Sequence, residues 1–306
     1  MERNNGYLDL NKYYEEVAGT SDRKQLEKEL YITPSHYTKD HYFLDIDGEV
    51  FYFKDSNFGY RECMAHYIAK DMGLDSLFYD LAEFGVYRGV ISKCFHNDSK
   101  EYFTIADILD YYKDNDFKSI NEYTGKVHIK DACEEINSLD VIWQALEYRF
   151  PESKDDIPKV MNDLVDAVMF KFLIGNSDAY AYNFEIEYDQ GHIKLCPIFD
   201  NEYSFWPEHG EFALTALYGG NHDFYSALRD FLSVSDEIYT TRFKELYKRF
   251  NEDYFYDIMH TVEVNHGYKF KEAEKERIIK FYHVIKEVVE TVFNELNIEY
   301  TGRKNG

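Results

Sequence analysis

The sequence lacks an excess of positive charge, paired cysteines and long apolar runs. Its 306 residues include 34 Lys and Arg against 58 Asp and Glu, which gives a net charge of −24. This balance argues against binding nucleic acid or an anionic membrane through a general basic surface, although a phosphate-bearing ligand could still bind in a small basic site. The four cysteines form no C-x-x-C pair and have no histidine at zinc-binding spacing, which is typical of reduced thiols.

The sequence also lacks a recognisable N-terminal signal segment and any apolar run that could span a bilayer. We therefore expect a cytoplasmic protein with neither a nucleic-acid partner nor a membrane partner. The chain is long enough for one large domain or two lobes with a proper core. Its 29 Tyr and 24 Phe indicate a core built largely from aromatic side chains.

The most informative part of the sequence leads from an apolar helix to Asp200. Apolar side chains recur upstream at the spacing of one helix face: Val160, Leu164, Val168 and Phe172. The helix they predict ends at Gly175, since glycine suits the left-handed position that closes a helix. Two strands are predicted next, over 184–188 and 192–198, joined by a turn at 189–191.

Three polar residues around this predicted hairpin have the spacing of a phosphoryl-transfer site. Asp178 and Asn183 lie five residues apart in a short loop before the hairpin, and Asp200 follows it. Protein kinases use this order for a carboxylate that accepts the hydroxyl proton and for an Asn and an Asp that bind Mg²⁺. We predict Asp178 as the base, with Asn183 and Asp200 as metal ligands. The alternative is that Asn176, Ser177 and Asp178 are simply turn residues.

A lysine and a glutamate in the N-terminal part form a second candidate pair. Strands at 41–46 and 50–54, joined by an Asp-Gly turn, place Lys54 at the end of an otherwise apolar strand. A helix over 60–72 follows at once and carries Glu62 in its first turn. This order matches the ion pair that orders the phosphate-binding lysine of kinases. The alternatives are a solvent-exposed lysine and a glutamate that merely suits the helix dipole.

The loop from Gly19 to Lys24 is a candidate for phosphate binding. Its small polar residues could direct backbone N–H groups toward phosphates, and we predict contacts from Gly19, Ser21 and Lys24. The alternative is that residues 22–24 open a charged helix that continues to Leu30. The preceding segment, residues 6–17, could form an amphipathic helix.

The remaining pattern predicts an α+β protein with a two-lobed, kinase-like arrangement. A second hairpin, 81–87 and 90–95 about Arg88-Gly89, gives residues 1–95 a small antiparallel sheet. The composition turns polar at His96, where we place a hinge. Residues 96–306 then form a larger, mainly helical lobe, with helices predicted at 105–112, 131–150 and between 225 and 298.

These residues resemble the HipA-like kinases, including the single-chain relatives of the CtkA type. That family carries a loop N-x-D-x-H-x-K-N and a later motif P-x-(Y/F)-D, which correspond here to residues 176–183 and 197–200. Its Gly-rich loop ending in Lys is loosely matched by 19–24, and its strand with the ATP-contacting lysine by 51–54. Its helix pattern is matched by Glu62, Ala69, Gly73 and Leu74. The resemblance covers most of the chain.

Two departures from the family pattern affect what the resemblance implies. The His and Lys of the family loop are Tyr180 and Tyr182 here, which puts the rate of turnover in question. HipA toxins also carry an additional N-terminal subdomain before the phosphate loop, and this sequence begins almost at the loop. A DNA-binding antitoxin partner is therefore not inherited from the resemblance, although a separately encoded regulatory partner is compatible with it.

The leading hypothesis is an ATP- and Mg²⁺-dependent kinase that phosphorylates a Ser or Thr hydroxyl of a protein, with autophosphorylation included. Lys54 would hold the phosphates, oriented by Glu62, and Asp178 would act as base. One alternative is a nucleotide-binding pseudokinase that serves as a regulatory or interaction module, which Tyr180 and Tyr182 favour. Another is a phosphoinositide or small-molecule kinase, since the same spacing serves those enzymes.

Overall fold

The computed structural model divides the chain into two compact units. One consists of residues 1–95 together with 253–276, and the other of residues 96–252 together with 277–306. The first unit thus combines the N-terminal 95 residues with the later segment Asp253–Glu276. The structure describes residues 3–4, 6–10, 41–85, 87–97, 99–115, 139–176, 178–179, 181–206, 224–235 and 237–299.

Among the described residues of its first 95 positions, the first unit has six strands and one helix between them. The elements are β1 (Arg3–Asn4), β2 (Tyr7–Asp9), β3 (His41–Ile46), β4 (Glu49–Asp55), α1 (Gly59–Asp71), β5 (Asp80–Phe84) and β6 (Tyr87–Lys93). They form one sheet in the order β1-β2-β5-β6-β4-β3, in which β2 and β5 run parallel and the other neighbours in this order run antiparallel. The predicted helix over residues 6–17 is therefore wrong at its start, because Tyr7–Asp9 is a strand.

One face of this sheet carries an apolar core, and its buried members are Leu10, Leu44, Ile46, Phe53, Ala82, Phe84 and Ile91. The opposite face carries Leu81 and Val90, which are paired across β5 and β6. Gly59, at the start of α1, lies against these two side chains, so close that a Cβ there would lie 2.7 Å from Val90. The helix therefore covers the face opposite the apolar core.

The later segment of the first unit is held to the sheet by a partly buried polar network. It contains most of α7 (Glu252–His266) and the start of α8 (Glu272–Glu295). The Asp80 carboxylate accepts hydrogen bonds from Arg3, at 2.7 and 3.0 Å, and from His266 Nδ1, at 2.7 Å. Burial opposes ionisation of Asp80, but the hydrogen bonds from His266 and Arg3 outweigh it and hold the pKa of that carboxyl below its usual value.

The second predicted hairpin exists, but its turn was predicted at the wrong residues. The strands are joined between Phe84 and Tyr87, where Gly85 has a φ of +62°. Arg88 and Gly89 lie inside β6 instead, with Gly89 paired to Ala82 on one side and Asp55 on the other. Gly89 is thus explained by the close approach of a neighbouring strand rather than by a turn.

The second unit has a small sheet and most of the helices. Its elements are β7 (Glu101–Thr104), α2 (Ile105–Asn115), α3 (Leu139–Arg149), α4 (Ile157–Leu173), β8 (Glu185–Asp189), β9 (His192–Leu195), α5 (Phe224–Val234), α6 (Glu237–Tyr247) and the rest of α8. Short 3₁₀ turns occur at Pro151–Ser153 and Ala181–Asn183. The strands pair antiparallel in the order β7-β8-β9.

Helix α4 forms the core of the second unit. Nearly all its residues are buried, including the predicted apolar face and also Asp166 and Lys171. Phe172 packs against Phe224 and Phe231 of α5, with ring centroids 5.8 and 5.4 Å apart. The predicted α+β class, with a sheet-rich N-terminal part and a helix-rich C-terminal part, is confirmed. Within the described ranges, no helix is both long enough and apolar enough to cross a membrane.

The burial of Asp166 generates a prediction about pH and stability. Burial raises the pKa of Asp166 to about 6, although the Arg242 guanidinium contacts its carboxylate and opposes the shift. Because the folded-state pKa exceeds the unfolded value, this group stabilises the fold below about pH 4, and that contribution is lost as the pH rises through about 6. In the variant Asp166→Asn the side chain at position 166 has no group that titrates. We expect its stability relative to wild type to increase by about 2 kcal/mol between about pH 4.5 and 7.5.

Urea unfolding of both proteins across this pH range measures the difference. The matched control is Asp230→Asn, which removes a carboxylate from an exposed ion pair, Arg229–Asp230 at 3.0 Å. Exposed pairs contribute little to stability, so its difference from wild type should change little with pH. A difference in the free energy of unfolding between Asp166→Asn and wild type that does not change with pH would contradict the prediction.

Candidate functional site

The end of α4 is closed by glycine, as the sequence predicted. Gly175 has a φ of +60°, and its N–H donates to the Phe172 carbonyl at 3.0 Å. The N–H of Asn176 donates to the Lys171 carbonyl at 2.9 Å. These two bonds are those of a Schellman motif, which stops the helix and turns the chain sharply. The turn places Asn176, only 1% exposed, at the start of the candidate catalytic loop.

The side chain of Asn176 links the loop that carries Asp178 to the segment that carries Asp200. Its Oδ1 accepts a hydrogen bond from the Asp178 N–H at 2.8 Å. Its Nδ2 donates to the Asp200 carbonyl at 3.0 Å and to Asn201 Oδ1 at 3.3 Å. Asn176 is therefore a turn residue, as the alternative interpretation held, and also a connection between two candidate site residues.

Asn183 joins the same network from the other end of the loop. It lies in the 3₁₀ turn at Ala181–Asn183, and its Nδ2 donates a hydrogen bond to the Asp178 carbonyl. The side chains of Asp178, Asn183 and Asp200 are each partly exposed. The second unit thus brings the predicted base and both predicted metal ligands into one hydrogen-bonded network, through the backbones of Asp178 and Asp200.

Lys171 is a member of this network that the sequence analysis missed. It lies on α4 and is only 1% exposed, yet it carries an ammonium group. Its Nζ donates to the carbonyls of Phe199, at 2.8 Å, and Asp200, at 3.0 Å, and lies 6.0 Å from the centre of the Phe184 ring. The signal in the sequence is a single lysine within the apolar run Met169–Leu173.

The first unit contains the predicted Lys54–Glu62 pair. Lys54 is paired with Val90 across β4 and β6, so the two side chains share the face that α1 covers. Lys54 Nζ lies 3.7 Å from Glu62 Oε1, and these side chains are 10% and 0% exposed. A buried pair of this kind is costly to break, because removing one partner leaves the other charge inside the protein. Lys54 is therefore not the solvent-exposed lysine of the alternative interpretation, while Glu62 still lies in the first turn of α1, where a carboxylate suits the helix dipole.

Gly89 allows the backbone of β6 to lie very close to the backbone at Lys54. A Cβ at this position would lie 1.9 Å from the Lys54 carbonyl oxygen and 2.9 Å from the Ser56 nitrogen. Both obstacles are backbone atoms, which cannot move without displacing the strand. The end of β4 that carries Lys54 therefore depends on the absence of a side chain at residue 89.

Some predicted site residues lie outside the described residues, namely Gly19, Ser21, Lys24, Ser177 and Tyr180. Tyr182, the other departure from the family loop, is 62% exposed. Among the residues that the structure does describe, no group of three or more His, Cys, Asp or Glu side chains is arranged to hold a metal ion. The candidate metal site therefore consists of one carboxylate, Asp200, and one side-chain amide, Asn183.

Comparisons with known proteins place the fold. No family model matches this sequence, and no curated protein is detectably similar to it. Among solved structures, the Helicobacter pylori proinflammatory kinase CtkA is similar with a TM-score of 0.61 at 15% identity, over 88% of this chain and 96% of CtkA. A chain from the Shewanella oneidensis MR-1 complex of HipA, HipB and operator DNA gives a TM-score of 0.56 at 13% identity, covering 86% of this chain and 67% of that one. The chain has the fold of the HipA-like kinases.

The HipA-like fold confirms the resemblance that the sequence motifs indicated. At these identities the likeness concerns the fold and does not by itself assign roles to side chains. The roles of Asp178, Asn183, Asp200, Lys54 and Glu62 rest on the geometry of this chain.

Substitution of Gly89 tests how tightly this HipA-like fold holds the strand of Lys54. In Gly89→Ala the added methyl group must displace backbone at Lys54, which we expect to cost about 1–3 kcal/mol of stability. The displacement should also shift the amide resonances of residues 53–56 in a heteronuclear NMR spectrum. Chemical denaturation measures the change in the free energy of unfolding.

The control is Gly191→Ala in the β8–β9 turn. Its φ is +87°, but the nearest atom to an added Cβ lies 3.8 Å away, so only backbone strain of about 1 kcal/mol is expected, with no shift near Lys54. Unchanged resonances at residues 53–56 in Gly89→Ala would show that the strand does not depend on this close approach.

Proposed function

We propose that this chain is an ATP- and Mg²⁺-dependent kinase that transfers the γ-phosphoryl group to a Ser or Thr hydroxyl of a protein. The observation that carries the proposal is the hydrogen-bonded network around Asn176, which connects Asp178, Asn183 and Asp200. Phosphoryl transfer is catalysed mainly by positioning and electrostatics. A network that fixes the base and both metal ligands relative to one another suits that requirement.

The residues present fit a magnesium ion. Mg²⁺ prefers oxygen ligands and is usually bound through one or two carboxylates together with substrate phosphates. Asp200 would supply the carboxylate. Because Nδ2 of Asn183 donates to the Asp178 carbonyl, its Oδ1 is the atom that would bind the cation. Magnesium bound here would neutralise charge on the phosphates.

Lys54 and Glu62 would serve the nucleotide. Lys54 has a buried ammonium within 3.7 Å of a fully buried carboxylate, so its position is restricted before any ligand binds. A phosphate oxygen would give the ammonium a second anionic partner, while Glu62 keeps it oriented. A phosphate-binding role for Gly19, Ser21 and Lys24 remains part of the proposal.

Asp178 would act as the base. Its backbone is held on both sides, by Asn176 at the N–H and by Asn183 at the carbonyl, while its side chain stays partly exposed. A carboxylate fixed in this way can accept the proton of a hydroxyl group presented from solvent. Exposure of the side chain suits a large acceptor such as a protein segment.

The solved neighbours support a kinase-type protein. CtkA is described as a kinase, and HipA was solved with HipB and operator DNA. For this chain we propose a protein acceptor, and a separately encoded regulatory partner as an option. Direct binding to nucleic acid does not suit a net charge of −24, and neither does a lipid acceptor in an anionic membrane. The cytoplasmic location remains part of the proposal.

A nucleotide-binding pseudokinase is the second candidate. Tyr182, 62% exposed, occupies the position of the family's loop lysine and supplies no positive charge for a phosphate. This substitution favours slow or absent turnover. A module of that kind would bind Mg²⁺ and ATP through the same residues without transferring phosphate.

Measurements of phosphate transfer and of nucleotide binding, on wild type and on variants of the site, distinguish the two candidates. We expect Asp178→Asn to lower phosphate transfer by about 100-fold or more, because a positioned base typically contributes that much, while leaving nucleotide binding nearly unchanged. Asp200→Ala should lose both transfer and Mg²⁺-dependent binding. Incubation with γ-labelled ATP and intact-mass analysis measures transfer to the chain itself or to an added protein. Asp189→Asn, an exposed carboxylate at the end of β8, is the matched control.

Equal transfer by Asp178→Asn and wild type would exclude Asp178 as the base. Mg²⁺-dependent nucleotide binding without transfer to any offered protein would favour the pseudokinase. Absence of nucleotide binding by wild type would contradict both candidates.

The buried ion pair generates a prediction about nucleotide affinity. Glu62→Gln removes the charge that holds Lys54, so we expect ATP affinity to fall by about tenfold, the equivalent of about 1.4 kcal/mol, with Lys54→Met falling further. Isothermal titration with a non-hydrolysable ATP analogue gives the dissociation constants. Lys93→Met, which removes a lysine from an exposed pair with Glu49 at 2.5 Å, should leave affinity unchanged. An unchanged affinity in Lys54→Met would remove this lysine from the site.

A further inference from the structure

We propose that Lys171 and Asn176 are positioning residues that fix the backbone of Asp200, and with it the carboxylate that binds magnesium. The inference rests on the proposed function and adds to it two residues with no direct part in the chemistry. Both are about 99% buried, and both donate hydrogen bonds to main-chain carbonyls of the segment that carries Asp200.

The ammonium of Lys171 satisfies two backbone acceptors from inside the protein. It donates to the carbonyls of Phe199 and Asp200, at 2.8 and 3.0 Å. Placing a charged group in the interior of a core helix is unfavourable unless its hydrogen bonds are made, and charge-assisted bonds are stronger than neutral ones. The cost of burying the Lys171 ammonium is therefore offset by its hydrogen bonds to the segment that carries Asp200.

Asn176 makes a third donation to the same segment. Its Nδ2 contacts the Asp200 carbonyl, so that one oxygen accepts from two buried side chains, and it also contacts Asn201 Oδ1. Asn201 is itself only 2% exposed. The donors lie on α4, most of whose residues are buried, and in the turn that closes it.

The segment needs these donors because its backbone is strained. Asp200 has a φ of +55° and Phe205 a φ of +58°, in the left-handed region that residues other than glycine rarely occupy. Such conformations persist only where the surroundings determine them. Here the surroundings are the two donors at Asp200 and, at Phe205, an N–H donated to the Ile174 carbonyl at 2.9 Å. Phe205 is also buried and packs edge-to-face on Phe281 at 5.6 Å.

The backbone conformation of Asp200 decides where its carboxylate points. If the donors are lost, the residue can return to a negative φ, which redirects the Cα–Cβ bond. Magnesium demands near-ideal geometry and tolerates little displacement of a ligand. Loss of Lys171 or Asn176 should therefore weaken magnesium binding with no change in the ligands themselves.

Two variants remove the donors while keeping size and shape. Lys171→Met keeps the length of the side chain and removes the ammonium. Asn176→Asp keeps the Oδ1 that accepts from the Asp178 N–H but replaces the donor toward Asp200 by an oxygen. The matched control is Lys159→Met on the same helix, where the lysine side chain is 75% exposed and pairs with Asp163.

The first measurement is the Mg²⁺ concentration for half-maximal binding of a non-hydrolysable ATP analogue, determined by isothermal titration. We expect it to rise by about 10- to 100-fold in both variants, the range found when residues that support metal ligands are replaced. The second is hydrogen exchange of the peptide 199–206, which should become faster. Lys159→Met should match wild type in both, and circular dichroism confirms folding. If Lys171→Met fails to fold, Asn176→Asp alone decides.

Wild-type magnesium dependence and wild-type exchange in a folded Lys171→Met or Asn176→Asp would overturn the inference while the proposed function stands. Failure of wild type itself to bind the analogue in a Mg²⁺-dependent way would overturn the proposed function, and the inference with it. A rise in half-saturating Mg²⁺ with unchanged metal-free affinity for the analogue supports the inference.

Discussion

The candidate site of the second unit depends on one constraint, the strained backbone at Asp200. A non-glycine residue in the left-handed region must be held there by its neighbours, and the hydrogen bonds from Lys171 and Asn176 do so. Both donors belong to α4 or to the turn that closes it, so the geometry of the site follows from where that helix ends. The Gly175 closure therefore has a functional consequence, because it places Asn176 between the Asp178 loop and the Asp200 segment.

The first unit meets a similar requirement by different means. There the charged group is held by close packing of the backbone, since Gly89 allows β6 to approach the Lys54 carbonyl more closely than any side chain would permit. The register then places Lys54 on the face that α1 covers, where Glu62 is fully buried. In the first unit a glycine, Gly89, fixes the strand that carries Lys54. In the second unit the end of α4 places the donors that fix the backbone of Asp200. Preorganisation of this kind is what electrostatic catalysis requires.

The sequence predicted elements whose signals are local. Apolar spacing predicted α4, the Asp-Gly turn predicted the β3–β4 hairpin, and motif spacing indicated the site residues. It misplaced the turn at Arg88-Gly89, because a glycine selected for close approach of a strand looks the same as a glycine selected for a turn. Helical periodicity predicted helices near residues 253–276 but does not say which unit a helix joins, and the structure groups these residues with the first unit. Lys171 was missed because its partners are main-chain carbonyls 28 and 29 residues away, and contacts of that kind leave no pattern in the chain.

The net charge of −24 does not conflict with a site for a polyanion, because exposed charges in salt solution act only over short distances. At physiological ionic strength, exposed charges are screened beyond about 8 Å, so the acidic surface contributes little to the field inside a buried site. Groups removed from water interact far more strongly, and two cations beside candidate site residues, Lys54 in the first unit and Lys171 in the second, are each more than 90% buried. Lys54 retains a nearby carboxylate, and Lys171 directs its charge into carbonyl groups next to Asp200. The global charge therefore does not favour nucleic acid or anionic membranes, while the local charge is compatible with the ATP and magnesium of the proposed function.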